Sequence, residues 1–138
     1  MITSETTIRV RYGETDQMGY SYYGNYALYY EVGRTDMLRQ LKFSYRKLEE
    51  EGYILPVKSL QIHYIKPAKY DDTITVKTFL KKIPSAKIKF DYEVYNKEKE
   101  LINHGTTELV FVDRESKKVT KPPVFFIDKV KQYFPAEN

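Results

Sequence analysis

The sequence predicts an α+β fold in which one long helix is wrapped by a curved antiparallel sheet of about five strands. Three observations carry this reading. Residues 26–41 place apolar side chains at helical spacing. After Gly52 the period changes to two, in segments separated by turn chemistry. Before both comes a half-buried strand followed by a long polar loop. One helix cannot cover such a sheet, and the sheet's edges stay open. Pairing with a second copy, as a dimer or a dimer of dimers, is the economical remedy.

Each element has its own warrant. Residues 6–12, TTIRVRY, alternate so that Ile8, Val10 and Tyr12 share one face of a strand. Residues 13–25 hold three of the six glycines together with Asp, Ser and Asn, and read as a loop; one this long in a small domain is usually functional. In the helix, Tyr26, Tyr30, Gly33, Met37 and Leu41 form a stripe that Tyr29 and Leu38 widen, with Asn25 as the expected N-cap. Gly33 costs about 1 kcal/mol relative to Ala in mid-helix, which implies a backbone packed closely against it. A second short helix is expected over 44–51, capped by Ser44 and stopped at Gly52. Strands follow over 54–65, 72–83, 86–96, 101–113 and a short 117–121, and a terminal helix over 126–134 exposes Ile127, Val130 and Phe134 to the core. Neither a linker nor an internal repeat interrupts the chain, so residues 1–138 are expected to form a single domain.

Composition narrows the chemistry. Without cysteine there is no disulfide framework, no thiolate metal site and no Cys nucleophile. His63 and His104 lie far apart in sequence without ligand spacing, so no metal is expected. No apolar run suits a membrane span and residues 1–12 are too polar for a signal peptide, which makes a cytoplasmic protein the expectation. The formal charge of +4 is modest, and no nucleic-acid-binding motif accompanies it, so neither nucleic acid nor membrane is an expected partner. Of 14 tyrosines, seven fall between Tyr12 and Tyr30; such a cluster suits a half-wet pocket or interface.

The segment RYGETDQMGYSYYGNYALYYEVGRTDMLR resembles the opening of the 4-hydroxybenzoyl-CoA thioesterase family. The shared features are Tyr12, Thr15-Asp16, Gly19, Tyr22-Tyr23, Asn25-Tyr26 and Glu31, and the turn Tyr70-Asp71-Asp72 and the strand TTELVFVD extend the similarity to roughly residues 6–113. The resemblance implies a hotdog fold that dimerises by joining sheets, with active sites at the dimer interface. It implies hydrolysis of an acyl-CoA, or sometimes an acyl carrier protein thioester, by water, with CoA entering only as part of the substrate and no further cofactor required.

Thioester hydrolysis needs an activated attack, a donor for the oxyanion and a grip on the thiol half. Read alone, a loop Asp most simply makes an Asx-turn. On the resemblance, Asp16 is the catalytic carboxylate, as nucleophile or as general base. Tyr23 matches the residue whose backbone N–H, near the helix start, polarises the carbonyl. Many relatives carry His there; Tyr keeps the backbone role and removes imidazole chemistry. Gly19, Tyr22, Asn25 and Tyr26 match the motif around the substrate, with Asn25 bracing the loop. Glu31 matches an acidic helix position, where contact with substrate and a Glu31–Arg34 pair are equal readings. Ser59 matches a position lining the site from across the interface, and His63 alternates onto its side. Lys81, Lys82, Lys87 and Lys89, on two neighbouring strands, suit the phosphates of CoA or a solvated face alike. Two rival readings stand beside hydrolysis. Hydration of an enoyl thioester would need a His near the Asp, which is missing, and a non-catalytic acyl-CoA-binding protein would not need Asp16.

Overall fold

A computed structural model describes residues 1–135; the last three positions assigned to the domain lie outside them. Strands β1 (Ile2–Arg9), β3 (Val57–Tyr64), β4 (Thr73–Leu80), β5 (Lys87–Tyr95) and β6 (Leu101–Val110) form one antiparallel sheet in the order β1-β4-β5-β6-β3. Helix α1 (Asn25–Gln40) lies across the β1, β4 and β5 part of one face. The short pair β2 (Tyr53–Ile54) and β7 (Val112–Asp113) stands apart from the main sheet. Helices α2 (Tyr45–Glu50) and α3 (Val124–Lys131) complete the chain. Among the described residues no helix is long and apolar enough to cross a membrane.

The α1 stripe is as expected: Tyr26, Tyr29, Tyr30, Gly33, Met37 and Leu38 are all buried. Gly33 is needed because a Cβ there would meet Thr78 Oγ1 at 2.5 Å and Val76 Cγ1 at 3.0 Å, so side chains of β4, rather than a second backbone, make the close approach. Arg34 is also buried. Its Nε donates to the Tyr45 hydroxyl at 2.9 Å, so the Glu31–Arg34 pair, one of the two equal readings of Glu31, does not form, and Glu31 stays on the exposed side of the helix. Below the helix the Tyr30 and Tyr92 rings stack at 4.2 Å, Tyr30 donates to Asn103 Oδ1, and Tyr92 pairs with Thr107 at 2.6 Å. Both of these buried tyrosine hydroxyls thus find a partner on the sheet.

Several boundaries differ from the sequence reading. The first strand begins at Ile2, four residues early, because its buried positions are Ile2, Ser4 and Thr6, and small polar side chains fit under α1 where Thr6 donates to Asp36 at 2.8 Å. Tyr12 lies past the strand in a 3-10 turn (Tyr12–Glu14), 77% exposed, against Tyr70. The helix N-cap is Gly24, and Asn25 is its first helical residue. Ser44 caps α2 as expected, accepting from the Lys47 N–H at 3.0 Å. Pro56 divides the 54–65 segment into β2 and β3, since proline has no N–H for a ladder. The 117–121 segment makes only a single bridge, Val112 to Val119. In α3 the buried residues are Phe126 and Val130, with Phe126 packed on Phe43 and Phe111; Ile127 and Phe134 are half-buried.

Gly105 in β6 sets the depth of this core. A Cβ there would collide with the Gln61 carbonyl of β3 and with Tyr30 Oη. Gly105→Ala is expected to lower stability by about 1–3 kcal/mol through overpacking, seen as a lower denaturant midpoint with an unchanged slope.

Candidate active site

The loop before α1 is folded around one carboxylate. Asp16 Oδ1 accepts from the Met18 N–H at 2.9 Å and the Tyr20 N–H at 3.2 Å, while the Asp16 N–H donates to the Tyr20 carbonyl at 2.9 Å. Gly19 closes this turn at φ +79°, a left-handed conformation that strains other residues. The Asx-turn and the catalytic reading therefore coexist. One oxygen holds the loop, and Oδ2 has no hydrogen-bond partner among the described residues.

A second layer fixes the loop to the helix. The Asn25 side chain donates to the Glu14 carbonyl at 2.7 Å, so it braces the loop from inside the helix without capping it. The Tyr22 N–H donates to the same carbonyl at 2.8 Å. Glu14 Oε1 accepts from the Arg11 N–H at 2.9 Å and the Tyr29 hydroxyl at 3.0 Å, and Oε2 pairs with Arg11 Nε at 3.0 Å. Burial raises the Glu14 carboxyl's pKa, yet the Arg11 amide and guanidinium and the Tyr29 hydroxyl outweigh it and hold the group below its ordinary value. The folded value being the lower one, ionised Glu14 stabilises the loop above its unfolded pKa, and that contribution fades as pH falls through the folded pKa. Burial pushes the Tyr29 hydroxyl up to about 12, so it remains a donor at neutral pH.

At the helix start the Tyr23 carbonyl accepts from the Tyr64 hydroxyl at 2.8 Å, whereas the Tyr23 N–H has no acceptor among the described residues. The rings of Tyr23 and Tyr26 pack edge-on against Tyr64 at 6.4 and 5.4 Å. Asp16, Tyr20, Ser21, Tyr23, Tyr26 and Tyr64 line one cavity of about 320 Å³, together with Ile65 and Pro67. Asp16, with one carboxylate oxygen unpartnered, and Tyr23, whose free amide stands at the positive end of a 16-residue helix, thus share one cavity with an apolar aromatic wall.

The other expected site residues fall elsewhere. Tyr22 is exposed and tilts on Tyr23 at 4.5 Å, outside the cavity lining. Glu31 is exposed and outside it too. Ser59 points to the opposite face of the sheet. Tyr64 faces α1, so the alternate residues Ser59, Gln61 and His63 face away, as the pairing of Ser59 with Glu108 also requires. His63 does share that side with Ser59, but it is exposed, and register brings it onto His104 with rings stacked at 4.7 Å. The two histidines, distant in sequence, are neighbours; no group of three His, Cys, Asp or Glu that could hold a metal occurs among the described residues. Lys81, Lys82, Lys87 and Lys89 line a separate hollow of about 210 Å³ at the β4–β5 turn, with Lys81 already 3.8 Å from Asp91. The Asp16 loop joins the start of β4 through Tyr20 and Lys69, so the length of that eight-residue strand, roughly 26 Å, separates it from the lysines. Tyr20, Ser21, Tyr64, Ile65 and Pro67 are among the cavity residues that the sequence reading missed.

Known proteins resemble this chain in sequence and fold. The description of the Thioesterase-like superfamily matches residues 10–132. YneP of Bacillus subtilis strain 168 is 40% identical over 118 residues, covering 86% of each chain. The acyl-CoA thioesterase YbgC of Haemophilus influenzae is 33% identical over 128 residues, covering 92% of this chain and 90% of that one. The crystal structure of the DHNA-CoA thioesterase from Staphylococcus aureus superposes with a TM-score of 0.89 at 38% identity, covering 96% of this chain and 89% of that one. With the fold a hotdog and the match spanning nearly its whole length, this chain belongs to the thioesterase-like superfamily.

Proposed function

We propose that this protein hydrolyses acyl-CoA, or acyl carrier protein, thioesters to the free acid and thiol, with residues 1–138 acting as one hotdog domain. The observation that carries the reading is that Asp16 and Tyr23 line one cavity, with Asp16 Oδ2 and the Tyr23 N–H both free of hydrogen-bond partners among the described residues. The carbonyl oxygen would accept from Tyr23, which stabilises the charge that develops there. Asp16 Oδ2 would attack the carbonyl, giving an anhydride that water opens to the free acid once the thiolate has gone, or take a proton from water as that water attacks the carbonyl. The thiolate then leaves and is protonated from solvent. Tyr26, Tyr64 and Ile65 supply an apolar wall for the acyl group; Gly19 and Asn25 hold the loop. A panel of acyl-CoAs with a thiol reagent tests this directly. Thiol release with at least one of them is expected; CoA binding without release would make the chain a binding protein.

The competent unit is a dimer. Strand β3 ends the sheet, and its Val57, Leu60 and Tyr64 are 48%, 41% and 50% exposed; Leu28 and Val32 on the outer face of α1 are also exposed. An open apolar edge is a template for a second copy. Light scattering is expected to give at least a dimer, and Leu60→Asp a weakened dimer with reduced activity. A wild-type monomer with full activity would overturn this.

The dimer also bears on the lysines. Ser59, Glu108 and Lys89 lie in one row across β3, β6 and β5. If β3 pairs antiparallel with its copy, the Ser59 end of one strand runs beside the Tyr64 end of the other, so the lysines would serve the neighbouring cavity and not their own. Inhibition by CoA is expected to weaken as salt approaches about 0.15 M, where the Debye length is roughly 8 Å, and in a Lys82→Glu, Lys89→Glu variant. CoA affinity indifferent to both would leave the cluster as solvated surface.

A further inference from the structure

We infer that Ser21 positions the hydrolytic water, as the second acceptor beside Asp16. This rests on the general-base reading of Asp16 above.

The inference follows from where protons are committed. Glu14 is an ionised carboxylate and can only accept, so the Tyr29 hydroxyl, 3.0 Å from Oε1, spends its proton there. Ser21 Oγ lies 2.8 Å from the same hydroxyl. Tyr29 having no second proton, Ser21 must be the donor in that contact. The Asn25 amide donates toward Ser21 Oγ at 3.4 Å, completing a chain that runs in one direction: Asn25 to Ser21 to Tyr29 to Glu14. Ser21 is 7% exposed and is one of the residues that line the Asp16 cavity. With its only proton committed inward, Ser21 meets the cavity as an acceptor.

Water attacking a thioester aims a lone pair at the carbonyl carbon and both hydrogens at acceptors. One O–H breaks as Asp16 Oδ2 takes the proton, the new C–O bond forms, and the carbonyl π pair moves to the oxygen held by Tyr23. The second O–H needs a partner that will not compete as a donor, and Ser21 supplies it. A hydroxyl free to rotate would lose half of this preference; the Tyr29–Glu14 pair removes the freedom.

Methanol separates this role from simple support of the loop. It carries one O–H, so it needs Asp16 but not the second acceptor. In water containing methanol, Ser21→Ala is expected to lower kcat for hydrolysis about ten-fold with KM within two-fold, and to raise the ratio of methyl ester to acid several-fold. Tyr29→Phe, which frees the Ser21 proton, should move the ratio in the same direction by less, and Ser21→Thr should restore it. Equal loss of ester and acid in Ser21→Ala, or an unchanged ratio in both Ser21→Ala and Tyr29→Phe, would overturn the inference. A wild type that releases no thiol would instead refute the proposed function.

Discussion

Asp16→Asn is expected to slow acyl-CoA hydrolysis by at least about 10²–10⁴-fold, the usual worth of a positioned base, while leaving the fold intact. The geometry explains why the two effects separate. Asp16 Oδ1 holds the loop by accepting the Met18 and Tyr20 N–H groups, and an asparagine Oδ1 can accept both. What changes is Oδ2, which becomes an amide nitrogen that is neither a useful nucleophile nor a base. Thermal unfolding and dimerisation should therefore match wild type, and substrate should bind as well or slightly better once the negative charge beside the thioester has gone. Two controls sharpen the result. Glu14→Gln keeps an acceptor for Tyr29 and loses only an Oε2 contact with exposed Arg11, and Glu31→Gln alters an exposed side chain outside the cavity. Each should cost far less. Hydrolysis by Asp16→Asn within a few-fold of wild type would remove Asp16 from the chemistry.

How much of this was legible in the sequence varied with the physics of each element. The α1 face could be read because one period governs both the spacing of Tyr26, Tyr30, Gly33 and Met37 and their burial. The start of β1 could not, because Ser4 and Thr6 are buried without being apolar, and only the helix lying above makes small polar residues the right filling. The same limit governs the face of Ser59 and the meeting of His63 with His104. Alternation says which residues share a side, but strand pairing decides which side faces the helix and which neighbour is opposite. Pairing is a long-range property that no local window contains. The distance of the lysines from Asp16 obeys the same limit: the length of β4 could be read, but the Tyr20–Lys69 bridge that sets the Asp16 loop at its start could not. Ser21 left a weak trace as the one polar residue within the run Tyr20 to Tyr23, and Tyr64 left none, since its role depends on β3 ending beside the helix start.

The proposed oxyanion donor offers the second large effect, and it would be carried by backbone. Tyr23→Phe is expected to keep most activity, because it removes one hydroxyl from a side chain that is 63% exposed and leaves the N–H, the ring contact with Tyr64 and the carbonyl that Tyr64 grips. Tyr23→Pro removes the N–H itself. Losing one such donor typically costs about 10²–10³ in kcat, or about 2.7–4 kcal/mol of transition-state stabilisation. The fold has reason to tolerate the change: the Tyr23 N–H makes no internal hydrogen bond among the described residues, and the position precedes the Gly24 N-cap, where proline does not interrupt the helix ladder. Proline also restricts Tyr22, whose N–H holds the loop through Glu14, so the two variants must be compared at equal CoA affinity and equal melting temperature. Under those conditions the expected pattern is near-normal kcat in Tyr23→Phe and a collapse in kcat, with little change in KM, in Tyr23→Pro. A collapse in Tyr23→Phe with normal folding would move the role to the phenol; near-normal turnover in Tyr23→Pro would require a different donor, and the neighbouring Gly24 N–H, also free of internal partners, would be the next to test.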